Sequence, residues 1–388
     1  MDERIDILGL TRAGFETAAG LGAGRSRALG ALYRRAFLDG GYAPEAAGLS
    51  KDAAALLDER FRVDIPEPVE VVQEEGELGL TSKALLRLAD GETIECVCIP
   101  VASRGKSGRR PGTTAGAEPP SSLCVSSQVG CRMGCAFCET GKRGLRRNLT
   151  AAEIVGQLVA ARARLGWSIG NIVFMGMGEP LDNFEGVSGA LAVLLDTSGA
   201  GFSQESITVC TAGLPAGIAR LRDLGLKRLN LSVSLNAGDD ETRARLMPVT
   251  RGANLAALAA ALRGYPQRPN FALGVNYCLI PGVNDGPGAA EGVAAFLAAA
   301  APPGRALLNL IPYNPGSTAP LGPAPTEAEI EDFRGRLAAL GVQVKLRVPR
   351  GRGLMAACGQ LGGACHASRA EAGGFGDPAG SQAAQLCP

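Results

Sequence analysis

From residue 123 to about 346, strand-like apolar runs alternate with helical patterns, and this alternation constrains the fold more than any other feature. LCVSSQV leads into a glycine- and cysteine-rich loop, then a helix opened by Thr150-x-x-Glu153, a capping box. NIVFM precedes a helix near 187–195, and SITVCTAG precedes one starting near Pro215. LNLSVSL is followed by helices near 240 and 255, and FALGVNYCLI by one near 289–300. ALLNLIPYN leads to the helix TEAEIEDFRGRLAAL, and VQVKLRV adds a last strand. Six or seven βα units in series require parallel strands joined by right-handed crossovers. A doubly wound sheet and a full or partial barrel both satisfy that count.

The flanks read differently. Residues 1–65 form a small helical unit: Ser26 is placed to cap a helix carrying Leu29, Leu32, Tyr33 and Phe37, and Ser50 one carrying Leu56, Leu57 and Phe61. Between 66 and 100 the pattern is strand-like, with PVEVVQEEGELGL as one run and Asp90-Gly91 as a hairpin signal within the next. Residues 102–122 hold Gly, Pro, Ser and Arg without periodicity and read as a flexible basic loop closing the 66–122 extension. Residues 123–361 carry the repeated units and a C-terminal segment, and 362–388 a Gly-, Ala- and Ser-rich frayed tail.

The 388 residues are 46% hydrophobic and 20% charged, enough for one large core with small attachments. MDERIDILGL lacks the basic region and long apolar run of a signal peptide, and no apolar stretch reaches membrane-spanning length. A cytoplasmic protein with no membrane partner is expected. A formal net charge of +1 means that any nucleic-acid contact must come from local basic patches. Eleven cysteines, an odd number at uneven spacings in a long chain, favour reduced thiols over a disulfide framework.

Polar residues recur where the strands end, the face on which barrel-like α/β folds do chemistry. The first strand ends at the cysteine loop, the second at Gly176-Met177-Gly178-Glu179-Pro180, and the third at Cys210-Thr211. The fourth ends at Ser234-Leu235-Asn236 and the sixth at Tyr313-Asn314-Pro315. Each alone is an ordinary turn; five in one topological position indicate a shared site. Cys131-x3-Cys135-x2-Cys138 lies in a single loop with Gly130, Gly134 and Gly141 freeing the backbone. Three thiolates at that spacing suit three irons of a [4Fe-4S] cluster, leaving the fourth iron open to S-adenosylmethionine (SAM). Structural zinc needs four ligands, and the lone His366 is remote in the tail. The Gly178-Glu179 pair suits the SAM ammonium.

The stretches LCVSSQVGCRMGCAFCETGKRGLRRNLTAAEIVGQ, NIVFMGMGEPL, LNLSVSLNAGDDETRARLMPV, LNLIPYNP and AACGQL resemble the RlmN/Cfr family of radical SAM methyltransferases, from about residue 5 to 363. That resemblance implies a partial (β/α)6 radical SAM barrel with an N-terminal helix-hairpin-helix-like domain and a β-hairpin extension. It implies methylation of C2 of an adenine in 23S ribosomal RNA, with two SAM per turnover and transfer RNA as a candidate second substrate. A flavodoxin-like or ferredoxin-like reductase would supply electrons, and nothing calls for a dimer. By the same resemblance Cys358 would carry a methyl group, Cys124 would resolve the adduct as a disulfide with Cys358, and Glu95 would accept a proton. SAM contacts would fall on Gly178, Glu179, Cys210, Ser234, Leu235, Asn236 and Asn314. Cys210 stands where the family usually has serine and Asn236 where it usually has histidine, which marks a divergent member.

Lys142, Arg143, Arg146 and Arg147 follow the cysteine loop, Arg350 and Arg352 flank Cys358, and Arg104, Lys106, Arg109 and Arg110 lie in the basic loop. Basic groups on both sides of the reaction centre are expected to contact phosphates. Three alternatives stand beside this reading: C8 methylation of the same adenine, a radical SAM enzyme with another RNA or a peptide substrate, and a zinc-bearing RNA-binding protein.

Overall fold

A computed structural model describes residues 3–101, 121–248, 252–266, 273–316, 320–347, 350–351 and 353–362. The basic-loop residues Arg104, Lys106, Arg109 and Arg110, together with Arg352 and the tail beyond 362, lie outside the described residues.

The N-terminal part contains β1 (Ile5–Asp6), α1 (Arg12–Ala19), α2 (Ser26–Leu38), α3 (Lys51–Arg60) and β2 (Phe61–Arg62), with β1 and β2 paired in parallel. Thr11 caps α1 and Ser50 caps α3 through their side-chain oxygens. Ser26 does not cap α2; it is the first helical residue, and its hydroxyl donates to Glu16 while accepting from Arg12. A tertiary partner within reach replaces the cap. Phe15, Tyr33, Phe37 and Phe61 form an aromatic group that joins the core of the rest of the chain.

The extension is β3 (Glu67–Gly76), β4 (Gly79–Arg87) and β5 (Thr93–Ile99), all antiparallel. The run PVEVVQEEGELGL is therefore two strands, broken at Glu77-Leu78 between Gly76 and Gly79. The Asp90-Gly91 turn joins β4 to β5 as the sequence predicts, with Arg87 opposite Thr93.

Next come β6 (Ser121–Cys124), β7 (Gln128–Gly130), α4 (Glu139–Lys142), β8 (Leu145–Asn148) and α5 (Ala151–Val159). LCVSSQV is thus not one strand. It leaves the large sheet after Cys124, and β7 pairs instead with β8. Thr150 and Glu153 form the expected capping box on α5. The series continues with β9 (Ile169–Phe174), α6 (Phe184–Leu195), β10 (Ile207–Thr211), α7 (Pro215–Asp223), β11 (Asn230–Ser234), α8 (Asp240–Leu246) and α9 (Leu255–Arg263). It ends with β12 (Leu273–Leu279), α10 (Ala289–Ala300), β13 (Ala306–Pro312), α11 (Glu327–Ala339) and β14 (Val344–Leu346).

Ten strands form one sheet in the order β14-β13-β12-β11-β10-β9-β6-β5-β4-β3. From β6 to β14 all pairs are parallel and each strand neighbours the next in sequence. A doubly wound sheet would reverse its order at a switch point. Here the winding never reverses, so right-handed crossovers put every helix on the same side and the sheet curls around its other face. The order has two ends, β14 and β3, so the barrel is partial and open. One buried cluster runs from Ile7 and Phe15 through the strands to Phe333 and Leu337. A second, smaller one holds Cys131, Met133, Leu246, Met247, Ile280 and Tyr313, and cradles the cysteine loop against the strand ends. Among the described residues no helix is long and apolar enough to cross a membrane.

Candidate active site

The loop bearing Cys131, Cys135 and Cys138 is closed at its base by the β7–β8 ribbon, with Gly130 opposite Leu145. Gly130 has φ +76°, and a Cβ there would collide with the carbonyl oxygen of Gly144, the group to which the Cys131 N–H donates. Only glycine fits that crossing. Ala136 N–H donates to Leu246 O at 2.9 Å, which ties the loop to α8.

Burial pushes the Cys131 thiol up to about 12, with the charge of Cys138 adding to it. Cys135 and Cys138 are also raised, mainly by burial, and Cys135 feels the charge of both other thiols. Among the described residues no three His, Cys, Asp or Glu side chains converge tightly enough for one metal ion. Three electrostatically coupled thiols in one loop fit a cluster whose thiolates bind separate irons. Such thiols ionise when a cation arrives to accept them.

The loop leaving β9 presses on the same ribbon. Gly178 has φ +98°, and a Cβ there would meet Gln128. Gln128 accepts from Glu179 N–H at 2.8 Å and donates to Asn148 and Asp182. Glu179 is buried, and its carboxylate accepts from Thr211 Oγ1 at 2.7 Å, Ala212 N at 2.7 Å and Leu181 N at 3.0 Å. Burial still raises its pKa to about 6. A carboxylate offers about four lone-pair sites. With two donors on Oε1 and one on Oε2, one site remains, on Oε2, for an ammonium.

The other residues expected to contact SAM gather at the same end but already have protein partners. Cys210 Sγ accepts from Asn276 Nδ2, and a chain of bonds continues through Asn309 to Arg347. Ser234 and Leu235 present their carbonyls to the buried Arg243. Leu235 N–H donates to Asn276 O. Asn236 has φ +60°; its Oδ1 accepts from Cys278 N at 2.8 Å and its Nδ2 approaches Met247 Sδ. Asn tolerates the left-handed region better than most side chains, so Asn236 suits this backbone position. Asn314 Nδ2 donates to Cys358 O at 3.4 Å.

Cys358 lies on a strap, residues 355–362, anchored along its length. Glu139 N–H donates to Gly359 O at 2.7 Å, Thr140 Oγ1 to Leu361 O at 2.6 Å, and Gln360 Nε2 to Pro315 O at 3.0 Å. Gly359, at φ +89°, packs against Phe137 O of the cysteine loop. Cys358 is exposed at the barrel mouth, yet surrounding protein crowds its thiol and pushes its pKa up. Its charge couples to Cys124, Cys210, Cys278 and Arg347, and it feels that of Cys138. Cys124 is buried and raised well above the ordinary thiol value, first by burial and then by Cys358. The structure thus brings Cys124, Cys358 and the cysteine loop to one place.

Glu95 faces the strap from β5. Its Oε2 accepts from Gly362 N at 2.8 Å and its Oε1 from Lys83 Nζ at 3.3 Å. Ser126 joins the site's strands: its hydroxyl donates to Glu95 O and accepts from Met177 N–H, while Gln157 clamps its backbone with two bonds of 2.8 Å. Sequence reasoning missed Lys83, Ser126, Gln157 and Arg243. Counting register back from the Asp90-Gly91 turn would have found the first, since Lys83 opposes Val97, two residues from Glu95.

The basic residues after the cysteine loop are engaged rather than free. Arg147 is held by Asp90 and Glu153, Arg146 by Glu92, and Lys142 by Glu139. Arg143 donates to Gly362 O and Arg350 to Pro100 O. Arg146, 62% exposed, pairs with Glu92 through one nitrogen and keeps further N–H donors for a phosphate.

Residues 125–289 match the radical SAM superfamily. The chain is 39% identical over 369 residues to the dual-specificity RNA methyltransferase RlmN of Syntrophotalea carbinolica, covering 93% of this chain and 91% of that one. It is 41% identical over 313 residues to the RlmN of Syntrophobacter fumaroxidans, covering 79% and 84%. The crystal structure of a radical SAM methyltransferase from Sphaerobacter thermophilus superposes with a TM-score of 0.75 at 36% identity, over 92% of this chain and 99% of that one.

Proposed function

Since the chain belongs to the RlmN family of radical SAM RNA methyltransferases, we propose that it methylates C2 of an adenine in 23S ribosomal RNA, with transfer RNA as a second substrate. The convergence of Cys124 and Cys358 beside the cysteine loop carries this reading. A radical SAM enzyme of another kind has no use for that pair. Adenine C2 is electron-poor, so a nucleophile-to-methyl transfer fails there and a radical route is needed.

Cys131, Cys135 and Cys138 would hold the [4Fe-4S] cluster, and Glu179 would take the SAM ammonium at its remaining acceptor site. Bound there with SAM, the cluster supplies a 5′-deoxyadenosyl radical when an external flavodoxin-like or ferredoxin-like reductase delivers an electron. The protein's own part begins at Cys358, whose thiolate attacks the methyl carbon of a first SAM and expels S-adenosylhomocysteine, so that two SAM are used per turnover. Once the Cys358 S-methyl group has given up one hydrogen atom, which the bound cofactor would accept, its carbon bonds to adenine C2. Glu95 accepts the proton that leaves C2, and the adduct's surplus electron would pass to the bound cluster. Cys124 thiolate then attacks Cys358 sulfur. The S–S bond forms as the S–C bond breaks, the electron pair goes to the product carbon, and a proton completes the methyl group.

Mass spectrometry of nucleosides from 23S RNA, incubated anaerobically with protein, SAM and reductant, tests the reading. It should give 2-methyladenosine, lost in Cys358→Ala. A peak of 8-methyladenosine would overturn the position assigned. No methylated adenosine from protein that cleaves SAM would overturn the substrate.

A further inference from the structure

Lys83 is a buried lysine that the mechanism above does not use. Its side chain is 4% exposed and its partner Glu95 is 8% exposed. The ammonium donates to Glu95 Oε1 at 3.3 Å and to Met355 O, also at 3.3 Å. The other oxygen of Glu95 accepts from Gly362 N at 2.8 Å. Met355 and Gly362 bracket Cys358 on the strap, so one ion pair on two neighbouring strands grips both ends of the segment that carries the thiol. Desolvation offsets the attraction within a buried pair, and apolar side chains of similar volume stabilise as well or better, so a lysine placed here purely for stability would be a poor choice.

We propose that Lys83 is a positioning residue for the second stage of the reaction, fixing Glu95 and, through Met355, setting the distance between the proton acceptor and Cys358. The proposal rests on the assignment of Glu95 above. The proton released from the substituted adenine carbon goes to the Glu95 carboxylate; its bonding electrons restore the ring, and the adduct's one surplus electron would pass to the bound iron–sulfur cluster. Lys83 orients that carboxylate and takes up no proton itself. The first stage, methyl transfer to Cys358, involves neither group.

The test compares Lys83→Met, Lys83→Arg, Glu95→Gln and Lys83→Met/Glu95→Gln, each reconstituted with its cluster. Methyl-Cys358 is read by peptide mass spectrometry and methyladenosine by nucleoside mass spectrometry. Lys83→Met should form methyl-Cys358 within about twofold of the parent while losing at least tenfold in methyladenosine. Lys83→Arg should recover most of that loss. The double variant should be no slower than Glu95→Gln alone, because Lys83 acts through Glu95. Equal loss of both products in Lys83→Met and the double variant would overturn the proposal, as would an additive double variant. Full activity in Glu95→Gln would sink the assignment of Glu95 itself. If Lys83→Met does not fold, the charge-neutral double variant set against Glu95→Gln decides alone.

Discussion

Replacing Gln157 with leucine would remove the clamp on Ser126 without enlarging the core. Gln157 and Ser126 are both fully buried, and the amide bonds both the N–H and the C=O of Ser126 at 2.8 Å. Each backbone group left without a partner costs about 1–3 kcal/mol. Two such groups, offset by roughly 1 kcal/mol from the apolar side chain, give a net loss of about 3 kcal/mol. At about 2.1 cal/mol/K per residue, a chain of 388 residues has an unfolding entropy near 0.8 kcal/mol/K, so Tm should fall by about 4 °C. Gln157→Glu makes the cause visible. A protonated carboxyl can both accept from Ser126 N–H and donate to its C=O, whereas a carboxylate cannot donate. Burial raises the folded-state pKa of that glutamate, so its stabilising contribution is present at low pH and lost as pH rises through the folded value. Thermal unfolding followed by anaerobic fluorimetry at pH 5 and pH 8 should show Gln157→Glu near the parent at the lower pH. At the higher pH it should lie at or below Gln157→Leu. A leucine variant within about 1 °C of the parent, or a glutamate variant that worsens toward pH 5, would refute the reasoning.

Two further outcomes follow from shifted titrations. Burial raises Asp6 to about 6 from 3.8, so its ionisation costs stability as pH rises through that window, by about 3 kcal/mol before solvent screening reduces it. Asp6→Asn keeps the acceptor for Leu8 N–H and should be more stable than the parent at pH 8, with the advantage gone at pH 4; an equal gain at both pH values would contradict this. Because burial raises the Cys358 thiol, its alkylation by iodoacetamide should climb about tenfold per pH unit from 7 to 9, and a plateau below pH 8 would show a lowered thiol instead.

The βα series, the hairpin at Asp90-Gly91, the capping box at Thr150 and the polar strand ends were legible because each is encoded within a few adjacent residues. What escaped reading depends on partners far apart in sequence. Lys83 meets Met355 and Glu95 meets Gly362 only once the strap crosses the barrel mouth. Ser26 looked like a cap until Glu16 came within reach of its hydroxyl. The arginines after the cysteine loop read as a phosphate-binding run; that the fold also sets Asp90, Glu92 and Glu153 beside Arg146 and Arg147 was not readable. The turn at Glu77-Leu78 was hidden by the apolar Leu78, which is exposed at its tip. At the site, the cysteine spacing indicated where the chemistry gathers. The partners already occupying Asn236, Leu235 and Glu179 were not readable, because Cys278, Asn276 and Thr211 reach them from neighbouring strands and Arg243 and Met247 from α8 and its end.

Among the described residues the open barrel's sheet ends in two borders, β14 and β3, and each is unsuited to recruiting another strand. β14 is only three residues long, and β3 carries Glu67, Pro68, Glu70, Glu74 and Glu75. A second chain pairing along β3 would bring its own row of carboxylates against these, and Pro68 offers no N–H to share. Like-charge repulsion at that border opposes edge-to-edge pairing between two copies of the chain.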